Sequence, residues 1–223
     1  MKIAIFGGTG DLGRGLAITF AAAGHEIVVG SRSQERAEQA AAELEAALPE
    51  GNYIPMENLE AATAGEIVVV SIPWEGVEAT IPPLAEALAG KVVISVVNAL
   101  EFGKNGASAV TNLPGGSMSQ RIQELAPEAF VVVAYNNLPA AALQHRERID
   151  ADVLVCGRGK AARDQVIALT EESIPGVRAL DCGTLANALI VEGLTAVIIN
   201  MNKRYKGEAS IRIEGLEEAP DRK

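Results

Sequence analysis

Residues 2–13 read KIAIFGGTGDLG, a β-branched apolar run that breaks into glycine and then opens a helical pattern. The spacing Gly8, Gly10, Gly13 is G-x-G-x-x-G set directly after a strand and at the head of a helix, the context in which this motif cradles a pyrophosphate. Gly8 is expected to permit a tight turn, Gly10 to let the backbone approach a phosphate, and Gly13 to pack the helix on the strand. The helix N-terminus then supplies free N–H groups, placing Thr9, Asp11 and Leu12 beside the same ligand.

Outward from this motif the chain keeps alternating short apolar runs with alanine-rich helical stretches, the habit of βαβ units and a parallel sheet. Strands are expected at Lys2–Phe6, Glu26–Gly30, near Tyr53, at Glu66–Ile72, Lys91–Val97, Phe130–Ala134, Val153–Cys156 and Val177–Leu180. Helices are expected at Leu12–Ala23, Ser33–Leu48 with Ser33 as its cap, near Glu57–Ala64, and at Val77–Leu88, Ser117–Leu125, Ala140–Arg148, Lys160–Ser173 and Leu185–Met201. The polar, glycine-rich stretch Asn98–Gly116 reads as a long loop and a candidate wall of a binding site. The fold class is α/β, a Rossmann-type doubly wound, mostly parallel sheet with a small C-terminal helical segment. The expected divisions are a nucleotide-binding domain over 1–182, a C-terminal helical segment over 183–212 and a disordered, charged tail over 213–223.

The 223 residues carry a formal net charge of −10, which argues against nucleic-acid binding, because that requires a basic field. An anionic ligand must therefore meet locally placed donors. At the end of the second strand, where an acid would hold a ribose 2′-hydroxyl, the sequence has Gly30-Ser31-Arg32. Arg32 can fork onto a 2′-phosphate, Ser31 can donate to it, and Arg36 lies one helical turn further on, so NADP is expected rather than NAD. Taken alone, Arg36 reads equally well as a solvated residue of a charged helix.

Chemistry-bearing side chains are few. Two cysteines, Cys156 and Cys182, stand far apart and read as small buried residues, with neither a disulfide nor a zinc site suggested. His25 reads as structural, and His145 follows Pro139 in a helix-prone stretch without a partner motif. Such a chain suits hydride transfer by proximity between two bound carriers. No targeting segment opens the chain, so a cytoplasmic location is expected. The apolar stretch Ala186–Met201 is interrupted by Asn187, Glu192, Gly193, Thr195 and Asn200, a poor membrane span and a better buried or dimer-forming helix, with a homodimer expected.

Gly7-Gly8-Thr9-Gly10 with Leu12-Gly13, Gly24 through Arg32, Ile72-Pro73-Trp74-Glu75, Pro139-Ala140-Ala141, Val155-Cys156-Gly157 and Val191-Glu192 with Leu194-Thr195 together resemble the NADPH-dependent coenzyme F420 reductases over nearly the whole chain. The resemblance implies NADP bound by Thr9 to Leu12, Ser31, Arg32 and Arg36, with Ile72 and Ala140 near its nicotinamide half. It also implies a deazaflavin, coenzyme F420, as co-substrate in a cleft edged by Trp74, the loop after Val97 and the segment Asn136–Ala141. Trp74 can stack there or simply pack. Asn136 can donate to a ring carbonyl but cannot supply a proton at neutral pH. Lys203, Arg204, Lys206 and Arg212 can meet the phosphate and glutamate tail of the deazaflavin or form a solvated helix end. The alternatives are an NADP-dependent dehydrogenase or imine reductase of the hydroxyacid-dehydrogenase type, using Asn136 and a solvent proton, and a non-catalytic NADP-binding redox sensor.

Overall fold

The structure is a computed structural model that describes residues 1–216. In chain order the elements are β1 (Lys2–Phe6), α1 (Asp11–Ala22), β2 (Glu26–Ser31), α2 (Gln34–Ala47), β3 (Asn52–Glu57), α3 (Asn58–Ala64), β4 (Ile67–Val70), α4 (Val77–Thr80), β5 (Val92–Ser95), β6 (Leu100–Gly103), β7 (Gly106–Ala109), α5 (Met118–Leu125), β8 (Phe130–Val133), α6 (Ala140–Gln144), β9 (Asp152–Gly157), α7 (Lys160–Ser173), β10 (Arg178–Asp181) and α8 (Ala188–Tyr205).

Among the described residues one sheet runs in the order β10-β9-β8-β5-β4-β1-β2-β3. Every neighbouring pair is parallel except β8 with β9. The strands are continuous apolar runs because both faces are covered. Ile3, Ile5, Ile27, Val29, Ile67 and Ile94 face a core shared with α1, α2, α6 and α7, while Ala4, Phe6, Val28, Val68, Val70 and Val93 face α3, α4 and α5. A smaller cluster of Val133, Cys156, Ala188 and Val191 seats α8 on that second face. The fold is therefore the doubly wound Rossmann type, with the order reversing between β1 and β4. At such a reversal the flanking loops part and leave a crevice at the carboxyl ends of the strands.

Four expectations are corrected. Val77–Leu88 is not one helix: α4 ends at Thr80, and Pro82–Leu84 makes a single 3₁₀ turn, because Pro82 and Pro83 cannot donate to the preceding turn. Asn98–Gly116 is not a structureless loop, since β6 and β7 pair as an antiparallel hairpin from Leu100 to Ala109. The support is distant: Asn200 of α8 uses its amide like a strand, accepting from Ala107 N and donating to Ala107 O, both at 2.8 Å. Helix α6 stops at Gln144, and Arg146 is left-handed at φ 55°. Ser33 occupies the position before α2 in extended backbone, but its hydroxyl makes no cap bond.

Cys156 is buried, whereas Cys182 is only half-buried, and both are free. Of the expected disordered tail, 217–223 lies outside the described residues. The part that is described is tied down at Ile213. Its N–H donates to the Asp152 carboxylate at 2.6 Å, and its carbonyl accepts from Arg178 at 2.7 Å. The same guanidinium grips both oxygens of Asp152, at 2.8 and 2.7 Å, and Asp152 is fully buried.

That grip, chiefly the Arg178 bonds, holds the Asp152 carboxyl below its ordinary value. A carboxylate with a depressed folded pKa stabilises the fold above its unfolded pKa and loses that contribution as pH falls through the folded one. Asp152→Asn should therefore lower the urea-unfolding free energy by about 2 kcal/mol at pH 7, the scale of charge-assisted hydrogen bonds. In urea titrations the two proteins should converge on acidification.

Candidate functional site

The glycine turn is built by a close approach of β1 to the loop after β4. Gly7 has φ +83°, and a Cβ placed there would lie 2.1 Å from Ser71 O, so no side chain fits. The positive φ thus sits at Gly7, one residue before the motif's first glycine, and Gly8 lies inside the turn that Gly10 closes onto Gly7. Gly13 is close-packed as expected, with a Cβ there falling 2.5 Å from Gly7 O. Gly10 donates its N–H to Gly7 O at 3.1 Å and stands in extended backbone before α1.

Gly8 and Gly10 differ from these two. A Cβ at Gly8 would meet only Val29 at 3.6 Å, and one at Gly10 only Gly7 O at 3.6 Å, both ordinary contacts. Nothing inside the protein demands glycine at either position. The empty shell above them faces the N-terminus of α1, where free N–H groups and the helix dipole favour an anion.

This turn opens into a cleft of about 830 Å³ at the crossover of the sheet. Of the residues singled out in the sequence, Gly8, Thr9, Ser31, Arg32, Arg36 and Ile72 line it together. Neither Arg32 nor Arg36 forms an ion pair with any described residue. Two uncompensated guanidinium groups on one wall make this end of an acidic protein attractive to a phosphate.

Other expected residues lie elsewhere. Gly10, Asp11, Leu12 and Gly13 form the floor and the start of α1 and do not line the cleft. Asp11 is fixed through its carbonyl, which accepts from Gln144 of α6 at 2.9 Å. Ala140 heads α6, and its carbonyl would sit 3.1 Å from a Cβ on Gly15, so α6 is docked on α1. Trp74 does not line the cleft; it packs against the cluster under α3, α4 and α5. Arg212 is ion-paired with Asp150, so it does not join Lys203, Arg204 and Lys206 at the end of α8.

Asn136 lies where the loops after β5 and β8 meet, at the same carboxyl edge. It is 5% exposed, donates from Nδ2 to Asn98 Oδ1 at 2.8 Å, and leaves its own Oδ1 without a partner among the described residues. Tyr135 before it is left-handed at φ 68°, a conformation a bulky residue adopts only when packing enforces it. Its hydroxyl lies 2.9 Å from Thr170 Oγ1.

Neither histidine lines the cleft. His145 is exposed and 3.9 Å from Glu147, while His25 is buried with Nε2 3.2 Å from Ser173 Oγ, burial lowering its pKa. Burial pushes the Cys156 thiol up to about 12, far from a reactive thiolate.

Sequence reasoning missed Asn58, which lines the cleft at the head of α3 with a buried, unpartnered Oδ1 facing Gly30. An asparagine at a helix start reads as a cap, and only the pairing of β2 with β3 brings it to the cleft. Gln39 and Glu43 of α2 were likewise hidden on a face that reads as solvated.

The family model described as NADP oxidoreductase, coenzyme F420-dependent, matches residues 2–99. The F420-dependent NADP reductase of Methanocaldococcus jannaschii is 40% identical, over 97% of this chain and 100% of its own. The protein of the same name from Methanothermobacter marburgensis is 37% identical over 98% and 100%. Among solved structures, one from Arthrobacter sp. FB24 assigned as an F420-dependent NADP reductase superposes with a TM-score of 0.79, at 27% identity, over 96% of this chain and 100% of that one.

Two glycine substitutions separate folding from binding. Gly10→Ala should keep the melting temperature of the wild type and weaken NADPH more than about tenfold in calorimetry, since its methyl meets ligand and not protein. Gly7→Ala should instead cost about 2 kcal/mol or more of stability, read by chemical denaturation, from positive φ and backbone overlap.

Proposed function

The chain belongs to the F420-dependent NADP reductase family, and from that membership we propose that it passes a hydride between NADP(H) and the deazaflavin coenzyme F420, both bound reversibly as substrates. The observation that carries the NADP half is the pair of unpaired guanidiniums, Arg32 and Arg36, facing the glycine cradle across one cleft. In this reading Gly8 and Thr9, which line the cleft, and behind them Gly10 and the backbone N–H groups of Asp11, Leu12 and Gly13 at the start of α1 hold the pyrophosphate, and Ser31, Arg32 and Arg36 hold the 2′-phosphate. Ile72 and Ala140 flank the nicotinamide half. Trp74 supports the wall by packing rather than by stacking.

When bound, the two carriers supply the whole redox couple, a hydride leaving one ring for the other. The protein's part is placement and exclusion of water, and proximity of this kind accounts for a large share of such a barrier. Asn136 fits the second half of the cleft: its partnerless buried Oδ1 can accept from a ring N–H, and its amide is held still by Asn98. It positions and does not titrate. Residues 1–182 act as the NADP domain and 183–212 close the deazaflavin side.

We also read α8 as the contact between two copies in a homodimer. The helix leaves Ile190, Val197, Met201 and Tyr205 exposed, and Phe102 of the hairpin is 73% exposed beside it. Leu185–Tyr205 is long and apolar enough to cross a membrane. Its polar residues Glu192, Thr195 and Asn200 are nonetheless all spent on the protein's own backbone, which favours a helix docked on a domain. A cytoplasmic enzyme with two free thiols is part of the same reading.

Purified protein with NADPH and F420 should show the absorbance change of deazaflavin reduction, and no change with any deazaflavin would overturn the proposal. Arg32→Ala and Arg36→Ala should each weaken NADPH by roughly 10- to 100-fold, matching about 1.5–3 kcal/mol for a charge-assisted bond, while leaving NADH unchanged. Val197→Asp should convert a dimer to a monomer in analytical ultracentrifugation.

A further inference from the structure

Glu192 is a carboxylate in the second turn of the long apolar helix α8, and it is 3% exposed. Among the described residues no cation is ion-paired with it. Its Oε2 accepts from Met118 N at 3.0 Å and its Oε1 from Ser119 N at 2.9 Å, so both oxygens are spent on the first N–H groups of α5. Burial raises its pKa against the opposing pull of these bonds, which marks the site as an unfavourable home for a charge. Two charge-assisted bonds from one side chain fix where α8 lies against the start of α5, and setting register is the best-attested role of such buried polar groups.

The same helix carries two further polar attachments at helical spacing. Thr195 donates from Oγ1 to the carbonyl of Asn136 at 3.0 Å, and Asn200 grips both backbone groups of Ala107. Glu192 thus holds the end of the segment 98–117, Asn200 holds its hairpin, and Thr195 holds the turn after β8. On the functional reading above these segments edge the deazaflavin side, and there Asn136 is tied to Asn98. The nucleotide cleft is lined from the glycine turn, the end of β2, α2, Asn58 and the segment 72–80, and receives none of these attachments.

We infer that Glu192 is a positioning residue for the second substrate: it sets the register of α8 against α5 and so the placement of Asn136 and Asn98 at the F420 half of the cleft, without touching the NADP half. Glutamine at this position keeps one acceptor but points an NH₂ at an N–H donor, so it breaks one of the two bonds with almost no change of volume.

The inference rests on the hydride-transfer reading, and the experiment separates the two. In steady-state kinetics Glu192→Gln should raise the KM for F420 about fivefold or more while the NADPH KM and calorimetric Kd stay within twofold. Hydrogen exchange should quicken at Met118, Ser119 and 98–109 and stay unchanged at 7–13 and 30–36. An unchanged F420 KM with unchanged exchange, or a parallel loss of NADPH affinity, would overturn the inference. If the wild type fails to reduce F420, the functional reading is lost, and the exchange pattern still decides the role of Glu192: quickening confined to Met118, Ser119 and 98–109 supports it, and none refutes it. Should Glu192→Gln not fold, Thr195→Val, which removes only the bond to Asn136 O, should give the same split more weakly, and wild-type constants there would count against the inference.

Discussion

The site depends on one contact, the approach of the Gly7 backbone to Ser71 at the crossover between β1 and β4. With a Cβ at Gly7 the gap to Ser71 O would be 2.1 Å, and at Gly13 the gap to Gly7 O would be 2.5 Å. Three backbones therefore meet at a point where no side chain intervenes, and α1 starts directly above the end of β1. That places free N–H groups at the switch point of the sheet, where the loops on either side diverge. A bulkier residue at either glycine would push α1 away and open the cradle, whatever the rest of the cleft contained.

Charge is arranged around this contact by selective pairing. The protein carries 29 acidic against 19 basic residues, so its average field repels phosphates. Arg121 is bound to Glu78 and Glu124, Arg163 to Asp181, Arg178 to Asp152 and Arg212 to Asp150. Arg32 and Arg36 are left open beside the cleft. A local positive end inside an acidic protein needs no basic surface, only two guanidiniums not tied up in ion pairs, and it orients a nucleotide by its extra phosphate.

How much of this was legible in the sequence follows the range of the interaction. The βαβ alternation, the order of strands and helices around the glycine motif and the missing acid after β2 are local signals, and Gly8, Thr9, Ser31, Arg32, Arg36 and Ile72 do line one cleft. Gly8 does sit inside the tight turn that Gly10 N closes onto Gly7 O, but the positive φ at Gly7 comes from the approach of Ser71, which no local pattern encodes. Trp74 was drawn toward the ligand by its position after β4, yet the layer of α3, α4 and α5 offers its ring more apolar surface than an open crevice does. Asn58 depends on Gly30, 28 positions away, and the hairpin at Leu100–Ala109 on the grip of Asn200, 93 positions from Ala107, and no periodicity encodes either.

The two halves of the cleft are thus specified differently. The nucleotide half takes its glycines and arginines from one βαβ unit, and the segment after β4 completes it at Ser71 and Ile72. The proposed deazaflavin side is a hairpin, a turn and a helix start held by the polar side chains of α8. An enzyme that moves a hydride without acid or base help has only distance and angle to control, and here that control falls to Glu192, Thr195 and Asn200 rather than to any group at the reacting atoms. Variation in the second substrate should accordingly be met by changes in α8 and the hairpin, while the glycine turn stays as it is.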